Sequence, residues 1–221
     1  MLTFFKRRSV LLPTPLGFLL LGGFCALPVV AWIAYGESFL SPTEPIPAKI
    51  LVVEGWIGPE AVLAAKDEFE RGGYDFILTS GGAPDPYSSD NWQKEGWTYA
   101  DGACHILVRS GIPPGKVIPA PPAVESETAR TYTAAVSVKS FLTRLGLAPK
   151  ALNVFTYWSH ARRSRLVYEK VLTPETEVGV IAYEPPGYAG NPWWRSSARA
   201  EEFLIQSVGF FYEYLFNSGR A

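Results

Sequence analysis

Within this 221-residue chain, Trp158-Ser159-His160-Ala161-Arg162-Arg163-Ser164-Arg165 is the stretch whose residue types could most directly do chemistry. It brings one of the chain's two histidines together with three arginines. The apolar run Leu152–Tyr157 precedes it, and a helical pattern extends from it to about Leu172. Where a strand gives way to a helix, the N–H groups of the first helical turn are unpaired, and the helix dipole favours negative charge. A histidine exchanges protons near neutral pH. The chemistry expected is contact with an anionic group, with Arg163 neutralising it and His160 serving as general acid or base. The structural alternatives are plain. Ser159 is a good helix N-cap. His160 shares a face with Ser164, Val167 and Val171, where it would be a buried, hydrogen-bonded side chain. Arg162 should face solvent, and Arg165 with Glu169 should form an ordinary i,i+4 pair worth about 0.3 kcal/mol.

These residues need elements to hold them, and the chain alternates strand and helix patterns. Strands are expected at 49–54, 75–79, 116–119, 152–157 and 177–183. Helices are expected from Pro59 to Gly72, from Trp97 to Arg109, from about Glu125 to Leu145, from Ser159 to Leu172, and from about Arg195 to Phe216. Pro59 suits a first helical position, and Gly72-Gly73 suits a helix end. Short apolar strands alternating with helices predict an α/β fold: a Rossmann-like open parallel sheet of about five strands with helices on both faces. Ligands of such sheets sit at the carboxyl ends of the strands, where strand order reverses.

The candidate site is therefore made of the residues just past each strand. Glu54 and Gly55 come after the first, Ser80, Gly81 and Gly82 after the second, and Glu125, Thr128 and Arg130 after the third. Ser159, His160 and Arg163 come after the fourth; Trp193 and Arg195 lie beyond the fifth. Glycines let backbone N–H groups approach a phosphate, but Ser80-Gly81-Gly82 taken alone reads first as an ordinary tight turn. Glu54 or Glu125 could orient His160. Glu125 and Thr128 could instead merely open their helix, and Arg130 could pair with Glu54 or Glu184. The tryptophans could stack on a ligand, although packing is their usual role. No ligand spacing for a metal is visible, and no P-loop, complete dinucleotide fingerprint or nucleophile elbow is present, so neither metal nor cofactor is expected.

Ahead of the domain, Lys6-Arg7-Arg8 is succeeded by no charged residue from Ser9 through Gly36. That length exceeds the roughly 20 residues needed to span a bilayer. Residues 1–8 are then a basic cytoplasmic end, 9–36 a single transmembrane helix with Trp32 and Tyr35 at its far interface, and 37–47 a proline-rich linker. Residues 48–221 form the α/β domain, outside the plasma membrane by the positive-inside rule. A cleaved signal peptide would want a shorter apolar region and a small-x-small site, which Ala31-Trp32-Ile33 does not supply. The net charge of −1 gives no basic field, so no nucleic-acid partner is expected. Cys25 and Cys104 are read as two small apolar side chains. In the last helix Glu202, Gln206 and Glu213 fall close to one face, while Phe203, Leu204, Phe210, Phe211 and Leu215 cover much of the rest. Such a helix could pack on the sheet, touch lipid, or both.

Taken together, the domain from Lys49 to Phe216 resembles the bacterial family called domain of unknown function 218, the YdcF-like proteins. The resemblance rests on the first strand with Gly55, on Leu78-Thr79-Ser80-Gly81-Gly82, on Ser110-Gly111-Ile112-Pro113 with Val117-Ile118, and on Glu125 to Thr128. It continues through Ser159-His160-x-x-Arg163 and Trp193-Trp194-Arg195 with the final helix. Two positions depart from the family pattern: the first strand ends Glu54-Gly55-Trp56 rather than in a Gly-rich turn, and Thr131 stands where Asn is common. The resemblance implies a membrane-anchored protein of the bacterial cell envelope. It would bind, hydrolyse or transfer a phosphorylated or lipid-linked molecule such as a polyprenyl carrier. A non-catalytic assembly factor is the alternative. S-adenosylmethionine or nucleotide binding would apply only if the domain faced the cytoplasm.

Overall fold

The computed structural model describes residues 12–84, 96–124 and 129–216. The chain divides into two units, residues 1–37 and 38–221. In the first unit the apolar segment is helical: α1 spans Pro15–Leu40, continues a few residues into the second unit, and carries Pro28 inside it. It is long and apolar enough to cross a membrane, with a mean hydropathy of 2.2.

The second unit is the α/β domain. Its elements are β1 (Ile50–Glu54), α2 (Pro59–Gly72), β2 (Phe76–Ser80), α3 (Tyr99–Arg109), β3 (Val117–Ala120), α4 (Arg130–Arg144), β4 (Ala151–Tyr157), α5 (Ala161–Leu172), β5 (Glu177–Tyr183) and α6 (Ser197–Phe216). All five strands are parallel, in the order β3-β2-β1-β4-β5. This is the Rossmann-like open sheet expected from the alternation of patterns.

Both faces of the sheet are covered because successive residues of a strand point to opposite sides. Leu51, Val53 and Ile77 pack with Val62, Ala65 and Phe69 of α2 and Ala103 and Leu107 of α3. Ile50, Val52, Leu78 and Val154 pack with Val138 and Leu142 of α4 and Val167, Tyr168 and Leu172 of α5. The chain winds outward from β1 to β3, then crosses back through α4 to β4 on the other side of β1. The order therefore reverses between β1 and β4, which is where a crevice opens at the carboxyl ends.

Local chemistry explains most element ends. Thr98 caps α3, accepting from the Asp101 N–H while the Asp101 carboxylate accepts from the Thr98 N–H. Pro59 starts α2, and Gly73, at φ 68°, ends it. Within the described residues α4 begins at Arg130, so Glu125 and Thr128, expected to open this helix, lie outside them. The helix after β4 begins later than expected, at Ala161. Trp158–His160 form a 3₁₀ turn, and Trp158 has a φ of 22°, a left-handed conformation that is costly for a bulky side chain.

The proline-rich segment expected as a linker is bonded to the domain. Glu44 forms an antiparallel bridge with Val180 of the edge strand β5, and Thr43 Oγ1 accepts from the Ala182 N–H. Further along, the Ile46 backbone donates to Asn153 Oδ1 and accepts from Asn153 Nδ2. An added Cβ at Gly179 would lie 2.0 Å from Asn153 Oδ1, so glycine on β5 makes room for this buried amide. The bridge also covers an otherwise open strand edge. Arg162 is not merely solvated: its guanidinium lies 4.1 Å from the Phe39 ring centroid, and it donates to the Phe39 carbonyl.

Candidate functional site

The residues just past β1, β2 and β4 converge, together with the start of α4, on one cavity of about 330 Å³. Glu54, Ser80, Gly81, Gly82, Arg130, His160 and Arg163 all line it. So do Trp56, which directly follows the β1 end, and Tyr99, Thr131 and Gln206, which the sequence did not single out as site residues. The wall is formed at the reversal of strand order, and most of its residues are delivered by a strand end or a helix start.

Glu54 is the last residue of β1 and is only 1% exposed. Thr156 Oγ1 and Ser164 Oγ both donate to its Oε2, the latter at 2.9 Å. Its Oε1 is buried without a hydrogen-bond partner among the described residues. Burial pushes the Glu54 carboxyl above the usual range. The two hydroxyl donors, the Arg163 charge and the nearby Trp56 indole pull the other way without overcoming it.

His160 is 3% exposed and stands next to this carboxyl, with Nε2 3.8 Å from Glu54 Oε2. Its ring meets Trp56 edge to face, the centroids 4.7 Å apart. On the far side Nδ1 is 2.9 Å from Gln206 Oε1. A carbonyl oxygen only accepts, so Nδ1 carries the proton. That leaves the Nε2 lone pair directed to Thr131 Oγ1, 3.5 Å away, and to Glu54. Burial holds the His160 pKa well below 6.5; Arg163 adds to this, and Gln206 opposes it. The imidazole is therefore neutral at pH 7, with Nε2 as a proton acceptor inside the cavity.

Arg163 extends from the first turn of α5 and is linked electrostatically to Glu54 and Glu213. It makes no hydrogen bond to another described residue. A glycine creates its seat. An added Cβ at Gly209 of α6 would lie 2.2 Å from Arg163 Nη1. Backbone crowding imposes the other glycines. An added Cβ at Gly55 would lie 2.1 Å from the Tyr99 carbonyl oxygen, and Gly81 adopts φ +127° against Tyr99. The Gly81 and Gly82 carbonyls accept from the Ala100 and Tyr99 N–H groups, which ties the turn after β2 to the start of α3.

Several expected residues are placed elsewhere. Ser159 neither caps α5 nor lines the cavity: its hydroxyl donates to Glu202 Oε1 at 2.6 Å, and so ties the β4–α5 turn to α6. Gly55 abuts the site through its backbone without lining it. Trp193 stacks on Phe203, the centroids 4.3 Å apart, so it anchors the loop before α6. Arg195 is exposed in the same 3₁₀ turn, and neither residue lines the cavity. Glu125 and Thr128 lie outside the described residues. Gln206 carried no local signal, because its partner is 46 positions away in sequence. Thr156 and Ser164 could have been found only by knowing that Glu54 lies between β4 and α5.

Among the described residues no group of three or more His, Cys, Asp or Glu side chains is placed to hold a metal ion. The arrangement offers a neutral base, a carboxyl beside it, two arginines and a glycine turn around one cavity. Guanidinium groups attract anions, and a neutral imidazole exchanges protons.

No family model and no curated protein matches this chain. Among solved structures, the NADPH-bound carbonyl reductase from chicken fatty liver is similar to it at 12% identity and a TM-score of 0.32, over 60% of this chain. The chain matches about half the length of that reductase, 50% of it.

Proposed function

We propose that this is a membrane-anchored protein that binds a phosphorylated molecule of the bacterial cell envelope and acts on it at the phosphate. The observation that carries the reading is the seating of Arg163 beside the neutral His160, in one cavity with Arg130 and the Gly81-Gly82 turn. Two arginines lining one cavity suit a phosphate better than a neutral polar group. His160 Nε2 would accept the proton of an attacking water or hydroxyl. As the new P–O bond forms and the old one breaks, the same nitrogen would return that proton to the leaving oxygen. Glu54, whose Oε2 lies 3.8 Å from Nε2, would orient the imidazole. The resemblance to the YdcF-like family supplies the envelope setting. Lys6-Arg7-Arg8 before the apolar helix supports a cytoplasmic N-terminus and an external domain.

The test is a melting curve of the full chain in nanodiscs with inorganic phosphate, pyrophosphate and methyl phosphate. A ligand at about 100 times its dissociation constant adds about 2.7 kcal/mol. For a domain of this size that is roughly 5–10 °C. Arg163→Ala should abolish the shift. His160→Gln should keep the shift and lose any release of phosphate from a phosphomonoester. The reading is wrong if no phosphorylated probe moves the transition.

A further inference from the structure

Beside the polar cavity lies a second, more open one of about 570 Å³, and the two share Arg130, Thr131 and Arg163 as a common wall. Beyond those three residues its lining is mostly apolar, with Leu204, Ile205, Val208 and Tyr212 of α6, and one carboxylate, Glu213, stands at its edge. We infer that the molecule held in the polar cavity is an amphiphile whose hydrocarbon chain leaves past Arg163 and lies in this groove along α6. The inference rests on the phosphate reading above and specifies what that phosphate is attached to.

Three observations carry it. The groove is continuous with the site, so its apolar wall begins where the guanidinium group ends. Its lining residues face outward in a way that water does not favour. Leu204 is 57% exposed, Ile205 54%, Val208 70% and Tyr212 54%, while Arg199, Ser207 and Glu213 of the same helix are buried. From Leu204 to Tyr212 the stripe runs about 12 Å along the helix axis, enough for a chain rather than a single methyl group. Finally, Gly209 sits in the middle of this wall and clears the space in which Arg163 passes between the two cavities.

An anion clamp that opens onto an apolar trough is the complement of a phosphorylated lipid. It does not complement a free sugar phosphate or a nucleotide, whose remaining parts are polar. Phe39, at the end of α1, packs edge to face on Phe210 of α6, with the centroids 5.3 Å apart. The helix that carries the groove is thus bound to the residues through which the chain leaves its apolar segment.

A series of alkyl phosphates tests this in the full chain in nanodiscs, by titration calorimetry with empty nanodiscs as the blank. Decyl phosphate should bind about tenfold tighter than hexyl phosphate, the gain expected when four methylenes are half buried. Ile205→Gln with Val208→Gln should lose that gain while binding methyl phosphate as the unaltered chain does. Both side chains are exposed, so the fold should tolerate the change. Equal chain-length gains in the altered and unaltered proteins would overturn the inference and leave the groove to a partner helix or the bilayer. Failure of methyl phosphate to bind at all would take down the phosphate reading first, and this inference with it.

Discussion

Helices α5 and α6 pack against each other and distribute their polarity in opposite ways. α5 buries Ala161, Val167, Tyr168 and Leu172 against the sheet and carries Arg162, Arg165 and Glu169 on its outer side, with Arg165 Nε and Glu169 Oε1 2.8 Å apart. That is the ordinary arrangement for a helix between a core and water. α6 turns Arg199, Glu202, Gln206 and Glu213 inward, where they bond to Tyr188, Ser159, His160 and Lys170. Its outer side shows Leu204, Val208, Phe211 and Leu215. Apolar burial therefore holds α5, whereas α6 combines two buried rings, Phe203 and Phe210, with polar bonds on its inner side. An exposed apolar surface of that extent calls for something other than water to cover it.

Matched leucine substitutions put the contrast at risk. Leu172→Ala on α5, where the side chain is 2% exposed, should cost about 2–5 kcal/mol in denaturant unfolding. Leu204→Ala on α6, where it is 57% exposed, should change stability by less than about 0.5 kcal/mol. Equal costs would show that α6 is an ordinary packed helix.

Next in size is the polar inner stripe of α6. Gln206→Leu leaves the His160 Nδ1–H buried without its acceptor, at a cost of about 1–3 kcal/mol. The change should also move the pH profile of any turnover, which a purely structural role for Gln206 would not do.

The pH dependence of stability probes the same inner stripe. The His160 pKa is depressed on folding, so the unfolded chain binds the proton first as pH falls. The stability tied to neutral His160 is fully present above pH 6.5 and is lost as pH drops below it toward the folded value. His160→Asn should flatten that acid limb. Glu54 acts with the opposite sign. Its pKa is raised from 4.5, so its contribution is present below 4.5 and fades as pH rises through the folded value. Identical melting profiles for the His160→Asn and unaltered chains between pH 5 and pH 7 would show that His160 is not buried neutral.

The smallest effect on stability belongs to Gly209→Ala. Alanine favours a helix over glycine by up to about 1 kcal/mol, so stability should hold or rise slightly. The new methyl group must displace the Arg163 guanidinium, so phosphate affinity should fall by roughly tenfold, the worth of one charge-assisted hydrogen bond. A stable variant that binds phosphate normally would separate Arg163 from the ligand.

Much of this was legible from local pattern. Short apolar runs at 50–54, 76–80 and 151–157 suited buried strands, and glycines and prolines marked the helix ends. The parallel sheet came from the alternation, and the position of the cavity came from the sheet. Ser159 shows where local reading stops. Its type and position suit an N-cap, yet a carboxylate from another helix competes for the same hydroxyl and wins. Trp193 was ambiguous between ligand and packing for the same reason, and Phe203 took it.

Periodicity and chain order were enough to set the apolar helix, the α/β alternation and the sheet edge at which Glu54, Ser80, His160 and Arg163 meet. Three features came instead from long-range packing: Gln206 fixes the His160 tautomer, Gly209 makes room for Arg163, and the polar face of α6 points inward. They depend on which residues distant in sequence become neighbours, and a helix with one polar and one apolar face does not declare which of them will meet the protein.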